Sequence, residues 1–450
     1  MTHAAIHPAA PEATITPMAR KAAVASFLGG TLEYYDFFIY ATAASLVFSK
    51  IFFPAGNPAV ATVASLATFG VAYIARPIGA LVLGHFGDKI GRKNMLVVCL
   101  LLMGFGTIAI GFIPSYAWFE QHTGHGWLAP TILVLCRLVQ GFSAGGETAG
   151  ASTLTIEHAP AHRRAFLGSW TMNGIAFGFI LASLVFIPVA AMPDEQLLHW
   201  GWRIPFLSSV LVLVVAFFVR RTLEEPEIFE EDVREETDHV LPVLGAFRDH
   251  WRDILRLTAC GLFTTTNTMM QVFGLAYGSQ VAGISRTTML WIAIASNVVA
   301  LFGQTFAALA ADRWGRRPIF IIGALGIIPM IWLYFLSIST GNIPLVFLAG
   351  VVMVGIFYSM PNGIYPAFFT EMFSTKVRYT GMAVGLQFAL VVSGFAPSLA
   401  SSLVGNDKTH WQPAAWIVTV VCLIAAIGAF TARETYRTPT EHLGKHQKAE

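Results

Sequence analysis

One short basic loop is written twice in this chain. Gly87-Asp88-Lys89-Ile90-Gly91-Arg92-Lys93 returns as Ala311-Asp312-Arg313-Trp314-Gly315-Arg316-Arg317, with 224 positions between Asp88 and Asp312, and each copy sits between two long apolar stretches. A second repeat agrees with the first. Glu157 stands seven residues before Arg164 and Glu371 seven before Arg378, and both turns run on into Gly-bearing apolar stretches at Gly168 and Gly381. A charged turn repeated at half the chain length, in surroundings this apolar, implies a duplicated bundle of membrane helices.

Hydrophobic residues make up 55% of the 450 and charged residues 12%, against about 25% charged in soluble domains. A bilayer core of roughly 30 Å takes about 20 apolar residues per helical crossing. Hydropathy, divided at Gly, Pro and charge clusters, predicts twelve spans, near 23–48, 59–84, 95–114, 128–156, 165–190, 204–220, 255–281, 288–311, 318–338, 344–370, 380–403 and 413–432. With both termini inside, the inner segments hold 22 of the 28 lysines and arginines, so the positive-inside rule puts the termini in the cytoplasm. The expected organisation is a cytoplasmic tail (1–22), a six-helix bundle (23–220), a cytoplasmic linker (221–254) rich in acidic residues, a second six-helix bundle (255–432) and a tail (433–450). Residues 1–18 lack the parts of a secretory signal. The four cysteines are scattered in apolar runs and suggest neither a disulfide framework nor a metal site, and a net charge of +2 implies no nucleic-acid partner.

Ionisable groups at bilayer depth cost at least about 2.5–3.5 kcal/mol and must face protein or water. The first span carries Glu33 and Asp36, whose i, i+3 spacing places both carboxylates on one helix face, where like charges favour retaining one proton. Arg76 in the second span lies at a depth that permits an ion pair with Glu33. The fourth span has Arg137, Gln140, Gly141 and Ala144 on one face and Glu147 beyond the Gly145-Gly146 pair. Arg137 is the leading candidate to grip a carboxylate through its planar fork, with a permanent pairing to Asp36 as the alternative. Asn267 and Gln271, Asn362 and Tyr365 are polar at depth in the second half, and such groups either bond between helices or line a wet cavity. Gly355, Pro361, Gly363 and Pro366 predict a bent tenth span.

Two enzyme-like motifs are coincidental. Gly141-Phe142-Ser143-Ala144-Gly145 fits a hydrolase elbow and Gly104-Phe105-Gly106 a dinucleotide loop, but both fall inside predicted helices with no strand before them. No enzymatic machinery is expected.

These residues resemble the major facilitator superfamily and, within it, the metabolite:proton symporter family, the group of shikimate, α-ketoglutarate, citrate and proline/betaine permeases. The resemblance covers residues 20–435. It rests on Glu33-Tyr34-Tyr35-Asp36-Phe37, Arg76-Pro77 with the Gly84–Lys93 loop, Arg137–Gly141 with Gly145-Gly146-Glu147, Trp202–Phe206, Thr370–Phe373 and Arg378–Gly381. It implies an all-α membrane fold of two six-helix bundles that rock about a central site. The expected function is proton symport, by alternating access, of a small anionic or zwitterionic metabolite across a bacterial cytoplasmic (inner) membrane, by a functional monomer with no cofactor beyond the coupling protons. A proton-independent facilitator or exchanger, or a non-transporting sensor, is the alternative. Asp36, Glu33 and Glu147 are the candidates for proton coupling. Arg137, Gln140, Arg76, Tyr35, Asn267, Gln271, Asn362 and Tyr365 are the candidates for substrate binding. Asp88, Arg92, Asp312, Arg316, Glu157, Arg164, Glu371 and Arg378 are the expected gate, with Asp88 capping a helix of the opposite bundle.

Overall fold

The computed structural model describes residues 15–53, 56–90, 92–145, 147–157, 159–222, 242–374, 377–436, 438 and 443–444. Residues 223–241 of the expected linker (221–254) and the side chains of Asp88, Arg92, Glu147 and Glu157 lie outside that description, and residues 242–254 of that linker are helical.

The described chain folds into twelve helical rods. In the first half these are α1 (17–51), α2 (Pro58–Ile90), α3 (Arg92–Phe112), α4 (128–157), α5 (Arg164–Ala190) and α6 (Arg203–Thr222). In the second they are α7 (242–281), α8 (Arg286–Trp314), α9 (Arg316–Thr340), α10 (343–370), α11 (Arg378–Val404) and α12 (Gln412–Thr431). Seven of them (α2, α5 and α8 to α12) are each long and apolar enough to cross a bilayer; the other five are shorter, broken or more charged. Large apolar side chains such as Phe105, Phe306 and Phe430 point outward from the bundle, as a lipid solvent requires.

The halves meet along two seams, α5 against α8 and α10, and α2 against α11. Within each half, small residues let backbones touch. A Cβ added at Gly141 of α4 would lie 1.9 Å from the Ala72 carbonyl oxygen of α2, and in the second half one at Gly303 of α8 would lie 1.9 Å from the Gly355 oxygen of α10. Gly141→Val should therefore separate α2 from α4 and cost about 3 kcal/mol or more, read as a lowered thermal midpoint of the purified protein.

Four rods are not continuous α-helix, the first being α1, with a π-helical segment at Ala44–Phe48. α4 is interrupted between Ser143 and Glu147, α7 contains π-helical segments at Met269–Gly274 and Tyr277–Val281, and α10 contains one at Met353–Tyr358. The bend expected in α10 is thus a π segment at Gly355, with Pro366 farther along the helix. Widened turns of this kind concentrate at functional sites.

Candidate functional site

Glu33 and Asp36 leave α1 toward different neighbours. Glu33 Oε1 accepts from Arg76 Nη2 at 3.1 Å, with both side chains buried. The Arg76 guanidinium lies over the rings of Phe37 (4.5 Å), Tyr73 (4.9 Å) and Tyr34 (5.8 Å), and its Nε and Nη1 have no hydrogen-bond partner. Across the seam, Tyr358 and Tyr365 of α10 come within electrostatic range of Tyr34, and Tyr365 within range of Glu33 and Arg76. Arg76 is thus fully buried with Tyr365 of α10 in electrostatic range, and two of its donors have no hydrogen-bond partner among the described residues.

Asp36 faces the hydroxyls of Thr107 on α3 and Ser209 on α6 inside the first bundle. Its Oδ1 is unpartnered. The expectation that the two carboxylates share a proton by mutual repulsion is corrected here, because the Arg76 cation lies against Glu33 and Asp36 is turned away. The permanent Arg137–Asp36 ion pair is also corrected. Arg137 Nη1 donates to Gln140 Oε1 (3.0 Å), Nη2 donates to the Phe69 carbonyl (3.1 Å), and the guanidinium lies 3.9 Å from the Tyr40 ring centroid. Gln140 Nε2 donates onward to Thr107 Oγ1 at 2.7 Å. Arg137 therefore reaches Asp36 through an amide and a hydroxyl, and both terminal nitrogens of its fork are committed inside the bundle, while its Nε has no hydrogen-bond partner among the described residues. Tyr35 is likewise turned inward, sharing a hydrogen bond with Ser208 of α6 at 3.3 Å.

On the second-half side, Gln271 sits in the π segment of α7 that packs against α1. Both of its amide atoms are buried and unpartnered, as is Asn267 Oδ1. Asn362 and Tyr365 are buried in α10. Sequence reasoning missed Asn173 of α5, whose amide donates to Thr305 Oγ1 of α8 across the seam (3.0 Å). Gln387 of α11, legible in the sequence as a further polar group at span depth, bonds between helices by donating to the Gly145 carbonyl at the break in α4 (2.9 Å).

Polar contacts bridge the two bundles at both ends. At the end bearing the termini, Asp312 accepts from the backbone N–H groups of Ala165 (3.1 Å) and Phe166 (3.0 Å), capping α5 of the opposite bundle, where a carboxylate also complements the helix dipole. Asp312, the second-half copy of Asp88, thus makes the kind of cap that the resemblance implies for Asp88, whose own side chain lies outside the described residues. Arg316 bonds Asp312 (2.8 Å) and grips Glu371 with two nitrogens (3.2 and 3.0 Å), and Arg164 approaches Glu371 across the seam (3.6 Å). Arg378 is buried at the start of α11. The segment after α12, read from sequence as a tail, joins this cluster: Glu434 caps α9 through Arg316 N (2.8 Å) and Arg317 N (3.0 Å), and Thr435 donates to Glu371 (2.5 Å). At the opposite end the closure is mostly uncharged. Gln280 of α7 accepts from Thr62 of α2 (3.2 Å) and donates to the Ser45 carbonyl of α1, and Ser398 donates to the Val63 carbonyl (3.0 Å). One exposed cluster adds to it, Asp194 with Arg286 (2.7 Å) and Lys50 (3.5 Å). The Arg286 hydrogen bond holds the Asp194 carboxyl below its ordinary range.

Residues 21–241 match the family model described as Sugar (and other) transporter, and residues 257–449 match that of the Major Facilitator Superfamily. The chain is 36% identical to the shikimate transporter of Escherichia coli, over 93% of this chain and 95% of that one. It is 34% identical to the proline/betaine transporter of Salmonella typhimurium (93% and 84%) and 36% identical to the E. coli inner membrane metabolite transport protein YhjE (86% and 88%). Among solved structures, the partially occluded inward-open xylose transporter XylE from E. coli superposes with a TM-score of 0.73 at 18% identity, over 93% of this chain and 99% of that one. With two repeated bundles bridged at both ends and relatives matched nearly end to end, the chain belongs to the major facilitator superfamily and is one of its multi-pass metabolite transporters.

Proposed function

We propose that the protein is a proton-coupled symporter of a small carboxylate or zwitterionic metabolite, working by alternating exposure of a site between its bundles. The observation that carries this reading is Asp36, a buried carboxyl with hydroxyls for neighbours and no ion pair among the described residues. Burying such a carboxylate costs several kcal/mol, and binding a proton removes the charge. Glu33, neutralised by Arg76, is the poorer carrier. The relatives named for shikimate and for proline and betaine support a substrate bearing a carboxylate, and the two unpartnered donors of Arg76 offer it a place. Gln271 and Asn267 supply polar contacts from the other bundle. The arginine-rich end bearing the termini is cytoplasmic on this reading, and the protomer suffices for transport.

The test is uptake of shikimate, proline and glycine betaine into proteoliposomes with and without an inward proton gradient. Accumulation of at least one that is abolished by a protonophore supports the proposal; accumulation indifferent to the gradient refutes coupling and favours a facilitator. Arg76→Lys keeps the charge but loses the planar fork. It should weaken carboxylate binding about tenfold or more, read as a rise in half-saturating substrate concentration, whereas unchanged affinity would move the carboxylate elsewhere.

A further inference from the structure

Two guanidinium groups share one ring. The Cζ atoms of Arg76 and Arg137 each lie 4.5 Å from the centroid of Phe37. That ring is buried beside Asp36 in the chain and held edge-on by Tyr73 (5.3 Å) and Phe69 (5.9 Å). Arg76 is the residue proposed above to receive the carboxylate, and Arg137 belongs to the chain of groups that ends at Asp36. Phe37 is therefore the side chain that touches both. A dry ring face attracts a cation strongly, while the two like charges repel each other, so the hold on one arginine depends on where the other sits.

We propose that Phe37 is the positioning residue that couples the inter-bundle site to the Asp36 relay. The proposal rests on the reading that Asp36 carries the proton and Arg76 receives the carboxylate. When Arg76 moves toward a bound carboxylate it withdraws from the ring, and Arg137 settles more closely on it. Arg137 carries Gln140, Gln140 carries Thr107, and Thr107 is one of the hydroxyls facing Asp36. The charged and titratable groups around this path are Glu33 on Arg76, the phenols of Tyr34, Tyr40, Tyr73 and, from α10, Tyr365, and the Cys136 thiol beside Tyr40; the Glu147 side chain lies outside the described residues.

Two measurements test this. In proteoliposomes with shikimate, proline and glycine betaine as probes, Phe37→Leu should keep counterflow but lose the roughly tenfold accumulation that one pH unit can drive, and Phe37→Tyr should retain it. Phe37→Leu accumulating like the wild type would overturn the proposal. The second measurement needs no ligand. Arg76→Lys and Arg137→Lys preserve charge and remove planar stacking, so their combined shift in thermal midpoint should differ from the sum of the single shifts by about 3 °C or more. In the Phe37→Leu background the shifts should add. A structural role for the ring would lower every midpoint without changing additivity, and additive shifts in both backgrounds would overturn the proposal. If the wild type accumulates none of the probes against a pH difference, the symport reading fails, and the stability cycle still judges the ring.

Discussion

Asp36→Asn abolishes accumulation driven by a pH difference and leaves substrate counterflow intact. The amide keeps the size of the carboxyl and can meet the hydroxyls of Thr107 and Ser209, so the first bundle stays packed; what it cannot do is carry a proton in one conformation and release it in the other. A difference of one pH unit contributes about 1.4 kcal/mol per proton, or tenfold accumulation for a carrier moving one proton per substrate. In reconstituted vesicles the variant should bring inside and outside concentrations to equality while still exchanging labelled for unlabelled substrate. Retained accumulation would place the proton elsewhere, with Glu33 and Glu147 next in line. The membrane potential, worth about 2.3 kcal/mol per charge per 100 mV, separates the stoichiometries. One proton with a monoanion moves no net charge, and one proton with a zwitterion moves one.

Glu371→Gln should open the terminus-bearing end. Glu371 is fully buried and receives two nitrogens of Arg316, the hydroxyl of Thr435 and the approach of Arg164 from the opposite bundle. Removing its charge leaves Arg164 and Arg316 buried with less compensation, a change that costs about 3–5 kcal/mol in comparable buried pairs. The strain is relieved when the bundles part and water reaches the arginines. A cysteine placed at the buried position of Ala165, whose N–H is capped by Asp312, reports this directly. Its alkylation should accelerate by about two orders of magnitude in the Glu371→Gln background, and an unchanged rate would mean that this network does not hold the end shut.

The uneven build of the two closures fits a cycle in which one end opens more easily. The terminus-bearing end is bridged by buried charge, the other by amide and hydroxyl bonds with two exposed ion pairs that share Asp194. Exposed pairs contribute little.

The architecture was legible because hydropathy and the duplicated loop are one-dimensional signals. The span expected at 165–190 is Arg164–Ala190, and that at 413–432 is Gln412–Thr431. The Glu33–Arg76 pair was legible from depth alone. The path of Asp36 was not: helical spacing says that two residues share a face, but which neighbour fills the space before each depends on how α2, α3 and α6 pack around α1. Thr107, Ser209 and Gln280 carry no spacing signal, since hydroxyls and amides occur throughout these helices. Glu434 and Thr435 stand where hydropathy has ended, and their role emerges only when the α9 terminus and Glu371 are placed beside them.

Rocking of two bundles around a central site is tested most directly by tying one end. Thr62→Cys and Gln280→Cys, on a background without the native cysteines, place thiols where α2 and α7 meet at the end opposite the termini. Bridging them with a short bifunctional thiol reagent that a reductant can cleave should stop substrate uptake, and cleavage should restore it. Uptake that continues at the unbridged rate with the cross-link complete would contradict alternating access through this interface.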